Sequence, residues 1–503
     1  MMNIFKATLY HFLFVSALTI LFAVCMSGCG PRQESKTSQL QQEGSIPVKE
    51  MQSDLDTLWA AIREVHPGYN IYTSADTMAA LYKQTRLSLT QPLSEEAYIA
   101  HIYPFLCALG CGHTQIRHSA NYKPTGNTNS TSLPFEVQVR GAQAWVTNRR
   151  TDKVTTGDEV ISINDVPVKE IIQHAAALYC GDGYIRSFKE VYLSEYDGFN
   201  DACSNYYHWA APYKVVLRSG NGTPRQVTLA ATDTSQHDAI ATKDKYAQWT
   251  KTPGTGDLGL YIQKEKSIAL LEVPALNYGD TLIYENCFRE IANNKTKHLI
   301  LDMRHNGGGD IRITIRLLSY LADTSFGIIK DLYARIPDPT ENHFAHYFDP
   351  EKTESFKGSC IPAQKEGAFY HMNIKPAFGK IYAPLPLAAA NRFRGDVTVL
   401  IDGATFSSAA LFVTALKAQR ANTFFVGRET AGTAEGCNGF AQQKLTLPAT
   451  HIVVEFPLLR VISMIAPPAP GRGLQPDYEV TYTPQDIVTG TDRDLAKAIS
   501  LIK

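Results

Sequence analysis

The sequence lacks the signatures of several common ligand sites. No Cys-x-x-Cys pair or His–Cys cluster has zinc-binding spacing, and the phosphate-loop pattern GxxxxGK[ST] does not occur. A large excess of one charge is also missing, because 48 Lys and Arg residues nearly balance 49 Asp and Glu residues. A near-neutral chain gives no reason to expect an anionic partner. We therefore expect no metal, no cofactor and no nucleic-acid partner.

The apolar run near the amino terminus is short for a membrane span. Residues 12–24 are apolar and follow Lys6, which is the layout of a secretory signal. Met26-Ser27-Gly28-Cys29 resembles a bacterial lipobox, so we expect residues 1–28 to be a lipoprotein signal peptide and Cys29 to be lipidated. A cleaved, unlipidated signal and a retained single helix are the alternatives.

The expected consequence of this signal is a protein of the cell envelope. Residues 29–46 are polar and rich in Gln and Ser, as in a flexible tether. The enzyme or binding protein that follows is then anchored to a bacterial membrane and faces the periplasm or the exterior. Beyond Cys25 and Cys29 the chain has an odd number of cysteines, so at least one thiol is unpaired in an exported protein, and the sequence does not assign the pairs. They are Cys107, Cys111, Cys180, Cys203, Cys287, Cys360 and Cys437.

Length and composition predict more than one domain. With 503 residues and 44% apolar content, the chain can bury a large core. Apolar residues at helical spacing predict an amino-terminal helical region over residues 47–118. Residues 128–235 read as β-rich, and residues 256–503 alternate between strands and helices, after a polar linker around residues 232–255.

The β-rich region contains a recognisable stretch. Gly157 to Asp165 resembles the GD-x-I-x-x-I-N-G sequence of PDZ domains, although Asp165 stands where glycine is usual. Val168–Ala177 supplies the following helix. The resemblance implies a PDZ-like domain that holds an extended peptide at a sheet edge, with a purely structural role as the alternative. The aromatic residues of 184–211 suit either a core or a wall that contacts peptide.

Two strand–turn–helix segments in the carboxyl-terminal half carry the chemistry. Val397–Ile401 reads as a buried strand, and a helix follows Ser407 and Ser408. A serine hydroxyl at such a turn is exposed near free N–H groups of the first helical turn, although Ser also simply caps helices. Earlier in the chain, a strand from His298 leads to Gly307-Gly308-Gly309. The N–H groups of these glycines can turn towards an oxyanion or a phosphate, or the loop can be a plain tight turn. This loop does not form GxGxxG, so the nucleotide interpretation is weak.

Four segments in order resemble the tail-specific, or C-terminal processing, serine peptidase family, including its tricorn-core-like and retinoid-binding-protein-like branch: LDMRHNGGGD, TFSSAALFVTALK, FFVGRETAG and RGLQPDYEV. The resemblance implies an α/β fold, with a crotonase/ClpP-like ββα protease core. It also implies that Ser407 is the nucleophile and that the N–H groups of Gly308 and Ser408 form the oxyanion hole. The resemblance further implies that the substrates are peptides or proteins.

The same resemblance implies a base. One branch of the family uses a lysine soon after the GxxTxG segment, but here no lysine follows until Lys444. The tricorn-like branch uses a histidine in a Gly-His-Thr turn, which matches His113. A neutral imidazole would then make activity rise between about pH 6 and 7.5.

The acid that would orient the histidine is not evident. The family's glutamate precedes the GVxPD-like segment, where this chain has Ala469-Pro470-Gly471-Arg472. Glu429, Glu435 and Glu455 are the candidate third acids, and a Ser–His dyad helped by water is the alternative.

The sequence is also compatible with two other functions. A catalytically silent binding protein on the same fold would take a peptide or a lipophile, and a crotonase-like enzyme would hold a thioester.

Residues 324–390 interrupt the strand–helix alternation, with a lid, a substrate wall or a tolerated surface excursion as interpretations. A thiol mechanism through Cys111 or Cys437 is less favoured than packing.

Overall fold

Helices dominate the first described part of the chain. The computed structural model describes residues 45–123, 132–231, 246, 248–253, 255–277, 279, 281–467 and 469–502. The first elements are α1 (Val48–Val65), α2 (Ala75–Ser88), α3 (Glu95–Cys107) and the short strand β1 (Gln115–Arg117). Ser94 caps α3, because its side chain accepts a hydrogen bond from the Ala97 N–H.

A β-rich module follows, with a hydrophobic core of its own. Its elements are β2 (Phe135–Arg140), β3 (Gln143–Arg149), β4 (Glu159–Ile163), β5 (Val166–Pro167), α4 (Val168–Ala177), α5 (Ser187–Glu195), α6 (Gly198–Asn205), β6 (Tyr213–Arg218) and β7 (Arg225–Leu229). The sheet has the order β2-β3-β4-β6-β7, with β5 paired to β4. Alternate residues of β2 and β6 are buried, as expected when one face of a sheet covers a core.

The carboxyl-terminal half contains a mostly parallel sheet and a second, antiparallel one. Its elements are β8 (Thr250–Lys251), β9 (Gly259–Gln263), β10 (Ile268–Glu272), α7 (Thr281–Asn293), β11 (His298–Asp302), α8 (Ile311–Leu321), β12 (Ile329–Ala334), α9 (Pro350–Ser359), β13 (Cys360–Glu366), β14 (Phe369–Ile374), β15 (Asp396–Ile401), α10 (Ser408–Gln419), β16 (Thr423–Gly427), β17 (Gly436–Thr446), β18 (Val453–Ser463), β19 (Tyr478–Glu479), α11 (Pro484–Thr489) and α12 (Arg493–Ser500). The mixed α/β fold expected from the sequence is confirmed.

The first of these sheets has the order β19-β16-β15-β11-β10-β9-β8. Strands β10, β11, β15, β16 and β19 are parallel, so their carboxyl ends lie at one edge. The sheet is covered on both faces. Leu301 and Val399 belong to the large core, whereas Ile300 and Leu400 pack with Leu495 of α12 on the other face. Strands that are buried on both faces explain the uninterrupted apolar runs in the sequence.

The segment 324–390, which interrupts the strand–helix alternation, contains regular strands. It contributes β12, β13 and β14 to the antiparallel sheet, whose order is β1-β18-β12-β14-β13, with β17 also paired to β18. The strand–helix alternation stops here because β12 pairs with β18, more than a hundred residues later in the chain, and β14 and β13 extend the sheet from β12.

The amino-terminal helices pack on the same large core as the parallel sheet. Asp54 of α1 is fully buried and accepts hydrogen bonds from the Ala449 and Thr450 N–H groups, at 2.9 and 2.7 Å. Strand β1 adds to the edge of β18, with Gln115 opposite Glu455. The segment between α3 and β1 is therefore held against the carboxyl-terminal half of the protein.

Some expectations fall on residues that the structure leaves undescribed. The signal peptide 1–28, Cys29, nearly all of the tether and most of the linker 232–255 lie outside the described residues. Within the described part of the chain, none of the helices has the length and apolar character that a membrane crossing requires.

Candidate active site

Ser407 lies between the end of β15 and the start of α10, at the carboxyl edge of the parallel sheet. Its backbone has φ 52° and ψ −126°, a region that residues other than glycine seldom occupy. Ser407 stands at the N-cap position but makes no capping hydrogen bond with its side chain. The capping explanation for this serine is therefore wrong, and its hydroxyl points elsewhere.

The loop that carries Ser407 is bonded to the glycine loop that follows β11. The Phe406 N–H donates to the Asn306 carbonyl at 2.9 Å, and the Thr405 hydroxyl donates to the Met303 carbonyl at 3.0 Å. The Ser408 hydroxyl donates to the Gly309 carbonyl at 2.7 Å. These bonds join the ends of adjacent parallel strands into one rigid edge. Such joining can stabilise the strained backbone at Ser407, which costs about 1–3 kcal/mol.

His113 reaches this edge from the amino-terminal region. Helix α3 ends at Cys107, and Gly110, with φ 64°, turns the chain towards His113. The following Thr114 is buried, and its hydroxyl lies 2.8 Å from His66 Nε2. Helix α3 on one side and β1 on the other thus fix both ends of the turn.

The hydroxyl of Ser407 and the imidazole of His113 are in hydrogen-bond contact. The distance from His113 Nε2 to Ser407 Oγ is 3.0 Å, and the His113 ring stacks on Phe406 with 4.5 Å between ring centroids. Burial lowers the pKa of His113 to about 4. The imidazole is therefore neutral at neutral pH, and the expectation of a titration between pH 6 and 7.5 does not fit this environment.

The two groups predicted to form an oxyanion hole lie beside Ser407 but differ in their bonding. Gly308, with φ 102°, is so close that an added Cβ would lie 2.7 Å from Ser407 Cβ. Its N–H donates to Asn306 Oδ1 at 2.9 Å and is already engaged. The Ser408 N–H makes no hydrogen bond to another described residue. Ser408 therefore offers a free donor in this geometry, whereas Gly308 must share or exchange its bond.

The structure brings none of the three candidate acids into hydrogen-bond contact with His113, whose Nδ1 is buried without a partner among the described residues. Glu429 pairs with Arg472 at 2.7 Å, and Glu455 pairs with Arg117 at 3.2 Å. Glu435 differs from both, because its Oε1 accepts hydrogen bonds from Tyr72 Oη and the Gly471 N–H while its Oε2 is buried and has no described partner.

Lys444 does not take part in this site. It lies on β17, and its Nζ is 3.7 Å from Glu455 Oε1. The histidine is thus the base-type side chain that the structure brings to Ser407.

Sequence reasoning missed Asp182, which supports the histidine turn. Asp182 is 2% exposed, and its Oδ1 accepts a hydrogen bond from the Gly112 N–H at 2.7 Å. The next residue, Gly183, donates its N–H to the Gly110 carbonyl at 3.0 Å. Burial raises the pKa of Asp182 to about 7. The available signal was the pair of glycines that flank this aspartate, as glycines flank the His113 turn.

Helix α5 of the β-rich module contacts the same loops. Phe188 stacks on Phe406 with 5.9 Å between centroids, and Glu195 Oε2 lies 2.5 Å from His305 Nε2, next to the glycine loop. The site is therefore built from all three parts of the described chain.

The comparisons with known proteins agree with this architecture. Residues 267–480 match the model of peptidase family S41. The solved structure of mature CPAF complexed with lactacystin shares 16% identity and a TM-score of 0.62, over 91% of this chain and 98% of that chain. A second structure of mature CPAF gives a TM-score of 0.61 at 16% identity, over 91% and 97%.

A third structure, the photosystem II D1 C-terminal processing protease, gives a TM-score of 0.39 at 14% identity, over 90% of this chain and 97% of that chain. No curated protein has a significantly matching sequence.

The matched family, together with the fold, defines the class of this protein as serine peptidase. Within that class, the chain is similar to peptidase family S41 over residues 267–480, which is less than half of its length.

Proposed function

We propose that this protein is an exported, membrane-tethered serine endopeptidase that cleaves peptide or protein substrates through an acyl-enzyme at Ser407. The observation that carries the proposal is the 3.0 Å contact between His113 Nε2 and Ser407 Oγ. A serine hydroxyl is a weak nucleophile unless an adjacent base accepts its proton, and this contact supplies the base.

The first step is attack on the scissile carbonyl. His113 Nε2 accepts the Ser407 proton as Oγ bonds to the carbonyl carbon, and the resulting imidazolium donates that proton to the leaving amine. Because burial holds the pKa of His113 near 4, the imidazole is present as the free base throughout the neutral range. Water then hydrolyses the acyl-enzyme with the same histidine as base.

The developing negative charge on the carbonyl oxygen needs donors. In our proposal the Ser408 N–H, at the amino end of α10, supplies one of them, and the adjacent helix end favours negative charge. The Gly308 N–H supplies the second when the substrate oxygen displaces or shares Asn306 Oδ1. Two backbone donors beside one nucleophile are suited to acyl transfer.

Of the three candidate acids we propose Glu435. Its carboxylate accepts the N–H of Gly471 at 2.7 Å, and Gly471 belongs to the segment where the resemblance places the family's glutamate. Arg472 neutralises Glu429, and Arg117 and Lys444 neutralise Glu455, whereas Glu435 has one oxygen with no described partner. In this proposal the negative charge of Glu435 stabilises the imidazolium of His113. A Ser407–His113 dyad assisted by water is the alternative.

The β-rich module is assigned the capture of peptide. Its resemblance to PDZ domains is one stretch long, and its helix α5 contacts Phe406 through Phe188, so a bound peptide would lie next to the catalytic loops. A purely structural role for the module is the alternative.

We propose that the protein acts in the cell envelope, on the periplasmic or exterior side of a bacterial membrane. This part rests on the sequence of residues 1–46, with Cys29 as the acylated residue. Acylation at Cys29 followed by a polar tether would keep the peptidase near the membrane surface.

One observation favours a second function. His113 Nδ1 has no partner among the described residues, and a catalytically silent relative that binds a peptide or a lipophile on this fold would also show this. The two functions differ in the reactivity of Ser407.

A fluorophosphonate probe of serine reactivity separates them. The full-length protein, extracted in detergent, is labelled and digested, and the labelled peptide is identified by mass spectrometry, with the Ser407→Ala variant as the control. Label on Ser407 supports the peptidase. A folded protein that takes no label, together with saturable binding of unmodified peptide, establishes the silent binding protein.

A further inference from the structure

Two cysteines from different parts of the chain have their sulfur atoms in contact. Cys107 is the last residue of α3, and Cys180 follows α4 in the β-rich module. Their Sγ atoms are 3.1 Å apart, although 73 residues separate them in the chain. A disulfide bond is about 2.05 Å long, so closure requires an approach of about 1 Å. Small rotations of the two side chains can provide this.

The segments that carry these cysteines run together from the sulfur contact to the catalytic histidine. Three residues beyond each cysteine, the Gly183 N–H donates to the Gly110 carbonyl at 3.0 Å. The Gly112 N–H then donates to Asp182 Oδ1 at 2.7 Å, one residue before His113. The sulfur contact is therefore one end of a pair of segments whose other end is the proposed base.

We propose that Cys107 and Cys180 are a disulfide site that cross-links the amino-terminal helices to the β-rich module and fixes the His113 turn. The inference goes beyond the proposed peptidase activity. Its occurrence in the cell rests on the proposed export, because disulfides persist in oxidising compartments.

The oxidation needs a disulfide donor, such as a thiol–disulfide oxidoreductase or oxidised glutathione. Cys107 is the more accessible thiol, and as the thiolate it attacks one donor sulfur, forming a mixed disulfide and releasing one donor thiol. The Cys180 thiolate then attacks Cys107 Sγ and releases the second donor thiol. The protein loses two electrons and two protons, and the donor gains both. Burial raises the pKa of Cys180, so the second step is the slower one.

The cross-link changes the unfolded chain more than the folded one. It closes a loop of about 70 residues, which removes conformational freedom from the unfolded state and raises the melting temperature. In the folded protein it adds a covalent bond beside the two hydrogen bonds that hold the His113 turn.

The test uses the full-length protein in detergent, incubated either with oxidised glutathione or with a reductant. Free thiols are alkylated and the protein is digested without reduction. We expect a disulfide-linked pair of peptides containing Cys107 and Cys180, and a melting temperature several degrees higher after oxidation. The Cys107→Ser variant should lose both effects. The Cys203→Ser variant, which removes a buried cysteine from the core of the β-rich module, should keep the cross-link.

Recovery of alkylated Cys107 and Cys180 from the oxidised parent overturns the proposal, and so does a cross-link that joins another pair. The mapping uses the parent protein and decides the question even when a variant folds poorly. Failure of Ser407 to take a serine probe would remove the peptidase and leave the cross-link result standing, so the two proposals fail separately.

Discussion

His113 Nε2 lies 3.0 Å from Ser407 Oγ, although 294 residues separate the two in the chain. The contact depends on α3 and β1 on one side and on β15 and α10 on the other, so neither half of the protein contains a complete site.

The first prediction concerns the nucleophile. Ser407→Ala should lower kcat by about 10⁴-fold or more while leaving the melting temperature nearly unchanged, because the hydroxyl is proposed to perform the covalent step and makes no capping bond. Ser408→Ala should cost about tenfold or less, since it keeps its backbone N–H and loses only the bond to the Gly309 carbonyl. Hydrolysis of a fluorogenic peptide measures both. An inactive Ser408→Ala enzyme beside an active Ser407→Ala enzyme would move the nucleophile by one residue.

The second prediction concerns the base. Burial lowers the pKa of His113 to about 4, and the neutral form is the active one, so activity that depends on this group rises as the pH rises through about 4. The pH dependence of kcat/KM measures this limb. His113→Ala should lower kcat by about 10²-fold to 10⁴-fold, as loss of a general base usually does.

Lys444→Ala is the matched control, because Lys444 pairs with Glu455 and does not contact Ser407. It should keep near-parent activity. The opposite pattern, with Lys444→Ala inactive and His113→Ala active, would replace the histidine with a lysine base.

The third prediction gives Asp182 a positioning role. Its pKa is raised by burial to about 7, so the carboxylate that accepts the Gly112 N–H forms as the pH rises through about 7. A charged acceptor bonds more strongly than a neutral one, so parent kcat should show a second rise near pH 7. Asp182→Asn keeps an oxygen acceptor and should lose that inflection with about a tenfold lower kcat. Asp182→Ala should lose about 10²-fold, with KM little changed in either variant.

Asp201→Asn is the control for this titration. Burial also raises the pKa of Asp201 to about 7, but this residue lies on α6 in the β-rich module. Its pH profile should match that of the parent. An inflection near pH 7 that persists in Asp182→Asn would contradict the role of Asp182.

The fourth prediction ranks the candidate acids. Glu435→Gln should lower kcat by about 10-fold to 10²-fold with little effect on KM, because the carboxylate is proposed to stabilise the imidazolium that forms during attack. Glu455→Gln alters a partly exposed pair with Arg117 and should have almost no effect. Steady-state kinetics of both variants, with Glu429→Gln beside them, identify the acid. If Glu429→Gln alone is impaired, Glu435 is the wrong choice.

The fifth prediction concerns the anchor. Cys29→Ala should release the protein from the membrane fraction without changing its intrinsic kcat, because Cys29 is the proposed site of acylation. Incorporation of a labelled fatty acid and cell fractionation measure this. A processed Cys29→Ala protein that still sediments with membranes would exclude the tether.

Local sequence patterns predicted the elements near the site well. The sequence predicts a helix over residues 168–177, and the structure has Val168–Ala177. Such elements can be predicted because a helix or a buried strand has a residue pattern that is visible within its own short segment. The turn before Ser407 could be read for the same reason.

The long-range pairings could not be read in this way. Strands β12, β13 and β14 join the sheet of β18, but an exposed strand such as Cys360–Glu366 gives no periodic sign of its partner. The identity of the third acid could not be predicted from local sequence either. Tyr72, Glu435 and Gly471 come from three distant segments, and only folding brings them together.

Because β1 pairs with β18, the arrangement around His113 is completed only late in the synthesis of the chain. Ribosomes deliver the amino terminus first, so the turn with His113 emerges more than three hundred residues before Val453–Ser463, the strand that fixes its position. Until that strand has been made and paired, the contact between His113 and Ser407 lacks the support that this pairing gives. If His113 is the base, as we propose, a chain that lacks Val453–Ser463 is expected to have no peptidase activity.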